Sequence, residues 1–91
     1  MPDEAKFPLG FLLITPALRD AVTEHDIADA LYRHSHGDWG TVCEEDKAEN
    51  EFSVPRYLRI LSAYVAENGT RFWVITEADR KSTTLLLPDE Y

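Results

Sequence analysis

The stretch Tyr57–Thr76 reads YLRILSAYVAENGTRFWVIT, and its two halves show the period of two that is typical of β-strands. Asn68-Gly69 separates the halves, and this pair is the strongest short signal for a two-residue hairpin turn. Such a turn places Tyr64 opposite Trp73. We therefore predict an antiparallel β-hairpin in this register.

Two other apolar segments extend the predicted hairpin into a sheet. Residues 83–87, TTLLL, follow the polar connection EADRK and continue the hairpin as a meander, which ends at Pro88. Residues 7–14 hold a short apolar run that we interpret as a buried strand. The predicted sheet is antiparallel and has three or four strands.

Two helices are predicted ahead of the hairpin. Thr15 supplies a capping hydroxyl to a helix that starts at Pro16. Proline suits this first position because the backbone N–H that it lacks would have no acceptor inside the helix. Thr23 starts the next helix and has Asp26 three residues later, as in a capping box. This helix is expected to end at Gly37, since glycine readily takes the left-handed closing conformation. Its inner face consists of Ile27, Ala30, Leu31 and His34.

A third, short and exposed helix is predicted from the acidic segment EEDKAENE at residues 44–51, with Thr41 as a candidate cap. The chain of 91 residues has the length of one domain with a single core. We therefore expect one α+β domain over residues 1–91, with two or three helices packed on one face of the sheet. Residues 1–6 are expected to form a flexible N-terminus.

The charge balance restricts the possible partners. Asp and Glu number 17 against 9 Lys and Arg, for a net charge of −8, so direct binding of nucleic acid is disfavoured. Cys43 is the only cysteine, which excludes an intrachain disulfide and fits a reducing compartment. The apolar segment FPLGFLLITPAL is broken by proline and glycine and suits neither a signal peptide nor a membrane span. We expect a cytoplasmic protein without membrane association.

The segment RHSHGDWG at residues 33–40 resembles the start of HxHxDH, a metal-ligand pattern of metallo-β-lactamase-type hydrolases. Trp39 replaces its last histidine, and helical residues two apart point about 200° away from each other, so His34 and His36 do not converge on one ion. We therefore expect no metal site and no cofactor. The interpretation that we favour is a helix end and a turn built by Gly37, Asp38 and Gly40.

Two features are candidates for a partner-binding surface. Trp39 is either a lid over the core or an exposed anchor, because tryptophan is enriched among binding hot spots. The acidic helix is either a solvated face or a phosphate-like row that occupies the basic groove of a DNA-handling protein. The carboxylates of this row are Glu44, Glu45, Asp46, Glu49 and Glu51.

The turn TEADR at residues 76–80 also has two interpretations. Glu77, Asp79 and Arg80 are typical of a turn in which aspartate caps backbone N–H groups. Paired carboxylates at the end of a strand also suit Mg²⁺ binding or acid and base catalysis. The alternative function is therefore a small metal-dependent hydrolase or nuclease that uses His34, Asp38, Glu77 and Asp79.

The combination of HxxGDWG at residues 34–40, RxLSAY at residues 59–64, and WVITEADR with TTLLLPDEY in residues 73–91 resembles a family of small proteins of bacterial plasmids, phages and integrated elements. The resemblance covers residues 7–91. Members are usually labelled plasmid-related, and sometimes type I restriction subunit, although 91 residues cannot hold a methyltransferase cofactor domain. The sequence departs from the family at Lys81, where serine is usual. The resemblance implies a mobile-element setting and no reaction.

The small size, the acidic surface and the lack of a complete catalytic set together predict a non-enzymatic accessory protein that binds another protein. Its most specific version is a host-defence inhibitor or DNA mimic whose partner is a basic DNA-handling protein. The hydrolase alternative requires Asp38, Glu77 and Asp79 to lie within metal-bridging distance beside His34.

Overall fold

The structure, a computed structural model, describes residues 4–91, so expectations for residues 1–3 lie outside the described residues. Within this range the chain forms an α+β fold with three α-helices and one four-stranded sheet, which confirms the predicted class. In chain order the elements are β1 (Phe11–Ile14), α1 (Pro16–Ala21), α2 (Glu24–Ser35), α3 (Glu44–Ser53), a 3₁₀ turn (Val54–Arg56), β2 (Ile60–Val65), β3 (Arg71–Thr76), β4 (Ser82–Leu86) and a second 3₁₀ turn (Pro88–Glu90).

The strand order is β1-β4-β3-β2. The predicted meander of β2, β3 and β4 is confirmed, because both of its pairings are antiparallel. The expectation of a wholly antiparallel sheet is wrong, since β1 pairs with β4 in parallel. A parallel neighbour needs a long crossover, and the helices together with the rest of the meander provide it.

The hairpin between β2 and β3 is confirmed, but its register differs by one residue from the prediction. Tyr64 pairs with Phe72 and not with Trp73. The connection is a three-residue loop, residues 67–69, in which Gly69 alone takes a left-handed φ of 90°. A glycine in this position is typical of three-residue hairpin loops with a bulge. The shift places the Tyr64 and Phe72 rings together on the inner face, 6.0 Å apart.

Helices α1 and α2 pack on one face of the sheet, as predicted. Their capping residues also start both helices where expected. The Thr15 side chain accepts from Leu18 N–H, and Thr23 forms a reciprocal capping box with Asp26. The main core between these helices and the sheet consists of Leu18, Val22, Ala30, Tyr64, Ala66, Phe72, Val74 and Leu85.

Helix α3 is short and mostly exposed, as predicted, but it starts later than predicted. It begins after Cys43, which makes no side-chain capping bond, and not after Thr41. Its buried residues are the polar Asn50 and Ser53, while Phe52 is half exposed. The reason is that α3 lies beside the edge of the sheet, where the Asn50 side chain bonds to the backbone of β2, rather than over an apolar face.

The expectation that residues 7–14 form a buried strand is wrong. Strand β1 is an edge strand, and the side chains of Phe11, Leu12 and Leu13 are 80%, 47% and 52% exposed. The helices cover the middle of the sheet and leave this edge open. The preceding segment is anchored, since Lys6 N–H donates to the Ser35 carbonyl over 2.7 Å and Phe7 is buried.

Candidate functional site

The end of α2 is closed by Gly37, as the sequence predicts. Its φ is 86°, its N–H donates to the His34 carbonyl, and the next N–H, of Asp38, donates to the Arg33 carbonyl over 2.8 Å. This pair of bonds is the Schellman arrangement, which satisfies carbonyls at a helix end that have no partner inside the helix. The first part of RHSHGDWG therefore has a structural role.

Asp38 holds the turn that follows. One carboxylate oxygen accepts from Gly40 N–H over 3.1 Å, and the other accepts from Arg33 Nε over 2.8 Å. The hydrogen bond from Arg33 is the main cause that lowers the pKa of Asp38. The Asp38 carbonyl also accepts from the buried Tyr64 hydroxyl over 2.6 Å, so the turn is tied to the inner face of β2.

Gly40 lies against the backbone of β2. It forms a parallel bridge with Ala63, and a Cβ atom added to Gly40 would lie 1.8 Å from the Ala63 carbonyl oxygen. Ala63 N–H donates to the Trp39 carbonyl, and Thr41 N–H donates to the Ala63 carbonyl over 2.7 Å. Residues 39–41 therefore act as a short extra strand on the β2 edge, and only glycine fits at the closest approach.

Trp39 is 4% exposed, which agrees with its interpretation as a lid over the core. Its ring lies near Phe7 and beside His34, in a second cluster that contains Ile60. The indole N–H donates to the Glu51 carboxylate over 2.9 Å. The buried ring offers no accessible anchor, so the interpretation of Trp39 as a partner-binding residue is corrected.

His34 is fully buried and forms the centre of a chain of side-chain hydrogen bonds. Its Nδ1 lies 2.6 Å from Ser62 Oγ, and its Nε2 lies 2.9 Å from Thr76 Oγ1. Thr76 in turn lies 2.7 Å from Thr83 Oγ1, which donates to the Leu9 carbonyl. Sequence reasoning placed His34 on the helix face but did not find these partners.

The carbonyl at the end of this chain fixes the direction of each hydrogen bond between His34 and Leu9. The single Thr83 proton goes to Leu9, so Thr76 donates to Thr83. Thr76 then has no proton left for His34, whose Nε2 must carry hydrogen and donate. The neutral imidazole accepts at Nδ1 from Ser62. The network satisfies each of these buried groups without a charged histidine.

The electrostatics favour this neutral state. Burial, with a smaller contribution from the nearby Arg80 charge, lowers the pKa of His34 from 6.5 to about 3. A neutral histidine bonded to a serine hydroxyl is the pairing of a base with a nucleophile. Both side chains are 0% exposed, so no substrate reaches Ser62 in this conformation. The pair fixes α2 on the sheet.

The three residues of the TEADR turn have separate partners. The Glu77 carboxylate forms a salt bridge with Arg59, which directly precedes β2, and its Oε1 lies 3.6 Å from Arg59 Nε. Asp79 accepts from the backbone N–H of Lys81 over 2.9 Å, which agrees with the capping interpretation. Arg80 forms no ion pair with Glu77 or Asp79 among the described salt bridges.

Arg80 is 5% exposed and has a φ of 63°. Its guanidinium lies between the rings of Phe7 and Tyr57, at 5.5 and 5.0 Å from their centres. It connects the β3–β4 turn to the segment before β2, while its Nε has no partner among the described atoms. The carbonyls that accept from it belong to Ser53, Val54, Leu58, Glu77 and Ala78.

The four residues of the hydrolase alternative are therefore not brought together. His34 is sealed in the core, Asp38 is engaged at the end of α2, and Glu77 and Asp79 have their own partners. Within residues 4–91 no three His, Cys, Asp or Glu side chains are grouped so that they hold a metal ion. The geometric condition for that alternative is not met.

The acidic row on α3 divides into engaged and free carboxylates. Glu51 accepts from Trp39, and Glu44 forms an exposed pair with Lys47 at 3.4 Å. The remaining three side chains are exposed and form no ion pair among the described residues. These three are Glu45, Asp46 and Glu49.

Two of the free carboxylates line a groove on the face of the sheet opposite α1 and α2, which we call the sheet groove. Its floor is formed by Leu61, Ala63 and Trp73, and one side is formed by Asp46 and Glu49. It consists of two adjoining cavities of about 270 and 200 Å³ that share Asp46 and Leu61. Arg71 and Pro88 lie at the first cavity, and Asn50 and Arg59 at the second.

Sequence reasoning found the acidic side of this groove but not its floor. The period of two shows that alternate β2 and β3 residues point away from the helices, but it does not show whether another element covers them. Leu61, Ala63 and Trp73 are all half-buried, which marks an incompletely covered face.

Comparisons with protein-family models, curated proteins and solved structures found no match. Among the helices of the described residues, none is long and apolar enough to cross a membrane.

Proposed function

We propose that the protein is a non-enzymatic accessory protein that binds another protein through the sheet groove. The observation that carries the proposal is an open groove with an apolar floor of Leu61, Ala63 and Trp73 beside the exposed acidic face of α3. A groove with an apolar floor suits a segment of a partner protein, which lays its apolar side chains on the floor. The half-buried Trp73 is the residue in the groove best suited to be an anchor.

The charges favour a basic partner segment. Asp46 and Glu49 are exposed and form no ion pair among the described residues, so they are available to Lys or Arg of a partner. Arg59, at the second cavity, is already engaged by Glu77 and by the Tyr91 hydroxyl. The net charge of −8 favours encounter with basic proteins.

A basic DNA-handling protein is the partner class that fits this chemistry, because its groove is lined by Lys and Arg for phosphate. The exposed carboxylates of α3 then take the place of phosphates, and the protein acts as a host-defence inhibitor or DNA mimic. The resemblance to proteins of plasmids and phages suggests a mobile-element setting in the bacterial cytoplasm. The hydrolase alternative is not carried further, because its four residues are engaged separately.

The test is capture of partners from bacterial lysate by the immobilised protein. The variant Asp46→Lys/Glu49→Lys reverses the charge on the side of the groove and is expected to weaken capture by more than tenfold, and added salt should weaken capture by the wild type. The matched control is Asp20→Lys/Glu67→Lys, which makes the same charge change at exposed positions outside the groove. Equal capture by the two double variants would reject the groove as the binding surface.

A further inference from the structure

The outer edge of β1 has free backbone groups. The N–H groups of Phe11 and Thr15 donate to the Lys81 and Leu85 carbonyls, so the odd-numbered residues of β1 turn toward β4. Successive residues of a strand point their backbone groups to opposite sides, and Leu12 therefore turns its N–H and C=O outward. Strand β1 is last in the strand order, and no described strand pairs with this side.

The side chains at this edge are apolar and exposed. Phe11 and Leu13 share the open face of the sheet with Thr84, whereas Leu12 lies on the helix face. Proteins normally protect such an edge with lysine, proline, a bulge or a covering segment. The sequence FLLI contains none of these residues, and the described elements leave the edge uncovered. An edge strand of this kind is a template for another strand.

We propose that β1 pairs antiparallel with β1 of a second copy of this chain, about a twofold axis at Leu12. Leu12 then exchanges both backbone hydrogen bonds with Leu12 of the other copy. Phe11 of each copy lies opposite Leu13 of the other, so the two apolar contacts are identical, as twofold symmetry requires. The two sheets join into one continuous sheet of eight strands.

Charges at the two ends of β1 favour a second copy over an unrelated strand. Lys81 lies at the start of β1, where its carbonyl accepts from Phe11, and Glu90 lies at the end, where it accepts from the Thr15 hydroxyl. Antiparallel pairing brings the start of one strand to the end of the other, so Lys81 of each copy approaches Glu90 of the other. Neither side chain forms an ion pair among the described residues.

The local shape has room for this pairing. A cavity of about 570 Å³, lined by Gly10, Phe11 and Lys81, lies at the start of β1 and leaves space for the Leu13 side chain of the other copy. The strand has four residues, so the interface is small and the association weak. Dimerisation is therefore expected to depend on concentration in the range of about 10 μM to about 1 mM.

Analytical ultracentrifugation of the full chain over this concentration range tests the proposal. The wild type is expected to change from monomer toward dimer as concentration rises. Each single variant, Phe11→Lys or Leu13→Glu, should stay monomeric with an unchanged circular dichroism spectrum, because both side chains are largely exposed in the monomer. A wild type that stays monomeric would overturn the proposal and leave the edge to a strand of a different protein.

The register has its own test in the double variant Phe11→Lys/Leu13→Glu. Pairing about Leu12 places the two new opposite charges face to face across the axis, twice in each dimer, so the double variant should regain dimerisation at low salt. Single variants that still dimerise like the wild type would show that another surface is used. Two disrupted single variants without rescue in the double variant would reject the register centred on Leu12.

Discussion

The β2 edge of the sheet is covered by two segments, whereas the β1 edge faces solvent. At β2, residues 39–41 bond to the Ala63 backbone, and the Asn50 carboxamide bonds to the Leu61 backbone. At β1, the outward backbone groups of Leu12 have no described partner strand, and the adjacent side chains are apolar. Natural sheets usually protect both edges, so an unprotected edge indicates a site for pairing.

The comparison also explains the unusual composition of RHSHGDWG and of α3. Gly37 and Asp38 turn the chain back toward β2, Gly40 permits close approach, and Trp39 seals the cluster behind it. Helix α3 lies beside the sheet and contacts it through the hydrogen bonds of Asn50. An apolar face on α3 is therefore not required. The second half of the segment that resembles a metal-ligand motif thus serves to close one edge of the sheet.

The largest expected effect is that of Trp39→Ala at the closed edge. Removing a buried indole should reduce the free energy of unfolding by about 3 to 5 kcal/mol, because a cavity remains beside Phe7 and Ile60. Chemical denaturation measures this loss. The matched control is Trp73→Ala, which removes the same side chain from the half-buried floor of the sheet groove and should cost clearly less. Equal losses for the two variants would contradict the assignment of Trp39 to the core.

The second prediction concerns the His34 network, which runs from Ser62 in β2 to Leu9 ahead of β1 and so joins the two sides of the sheet. Burial lowers the pKa of His34 from 6.5 to about 3, so between these values the unfolded chain binds a proton that the native chain does not. Stability therefore falls as pH decreases through this window. The expected loss between about pH 7 and about pH 4 is on the order of 3 kcal/mol.

The variant His34→Gln isolates this contribution. The glutamine amide has both a donor and an acceptor for Thr76 and Ser62, but it does not titrate. Its free energy of unfolding, measured by urea denaturation at a series of pH values, should depend less steeply on pH below about 6.5 than that of the wild type. Parallel curves for the two proteins would mean that His34 is not the group that titrates on unfolding.

The features that the sequence predicts correctly depend on residues close together in the chain. The start of α1 at Thr15, the capping box at Thr23 and the closure of α2 at Gly37 each involve contacts within five residues. Local hydrogen bonding decides these features, so one short segment carries enough information to predict them. Asn68-Gly69 also identifies the hairpin, but the pair fits both two-residue and three-residue loops. The predicted register assumes a two-residue loop, whereas the structure has a three-residue loop.

The features that the sequence does not predict depend on distant partners. The parallel pairing of β1 with β4 joins residues about seventy positions apart, and periodicity contains no information on neighbours in a sheet. Arg80 lies in a turn beside two carboxylates, yet its donors go mainly to carbonyls before β2. These acceptors lie more than twenty positions before Arg80 in the chain, so the residues of the turn do not indicate them. The sheet groove depends in the same way on which face the helices cover.

The smallest of the three expected effects is that of Asn50→Ala, which opens the closed edge without leaving a large cavity. The carboxamide donates to the Leu61 carbonyl over 2.8 Å and accepts from the Leu61 N–H over 3.2 Å, as a neighbouring strand does. Removing it should reduce the free energy of unfolding by about 1 to 2 kcal/mol, because Leu61 is half-buried and water replaces part of the lost bonding. Asn68→Ala removes an exposed amide at the hairpin and should cost less.

Amide hydrogen exchange makes the comparison of the two edges direct. In the wild type, the Leu61 N–H is bonded to Asn50 and should exchange slowly, whereas the outward N–H of Leu12 should exchange quickly at protein concentrations where the chain is monomeric. In Asn50→Ala the Leu61 amide should exchange nearly as fast as that of Leu12, while amides within β3 keep their protection. Unchanged protection of Leu61 would mean that residues 39–41 alone keep the β2 edge closed. Asn50 would then contribute to the helix rather than to the sheet, and the difference between the two edges would rest entirely on residues 39–41.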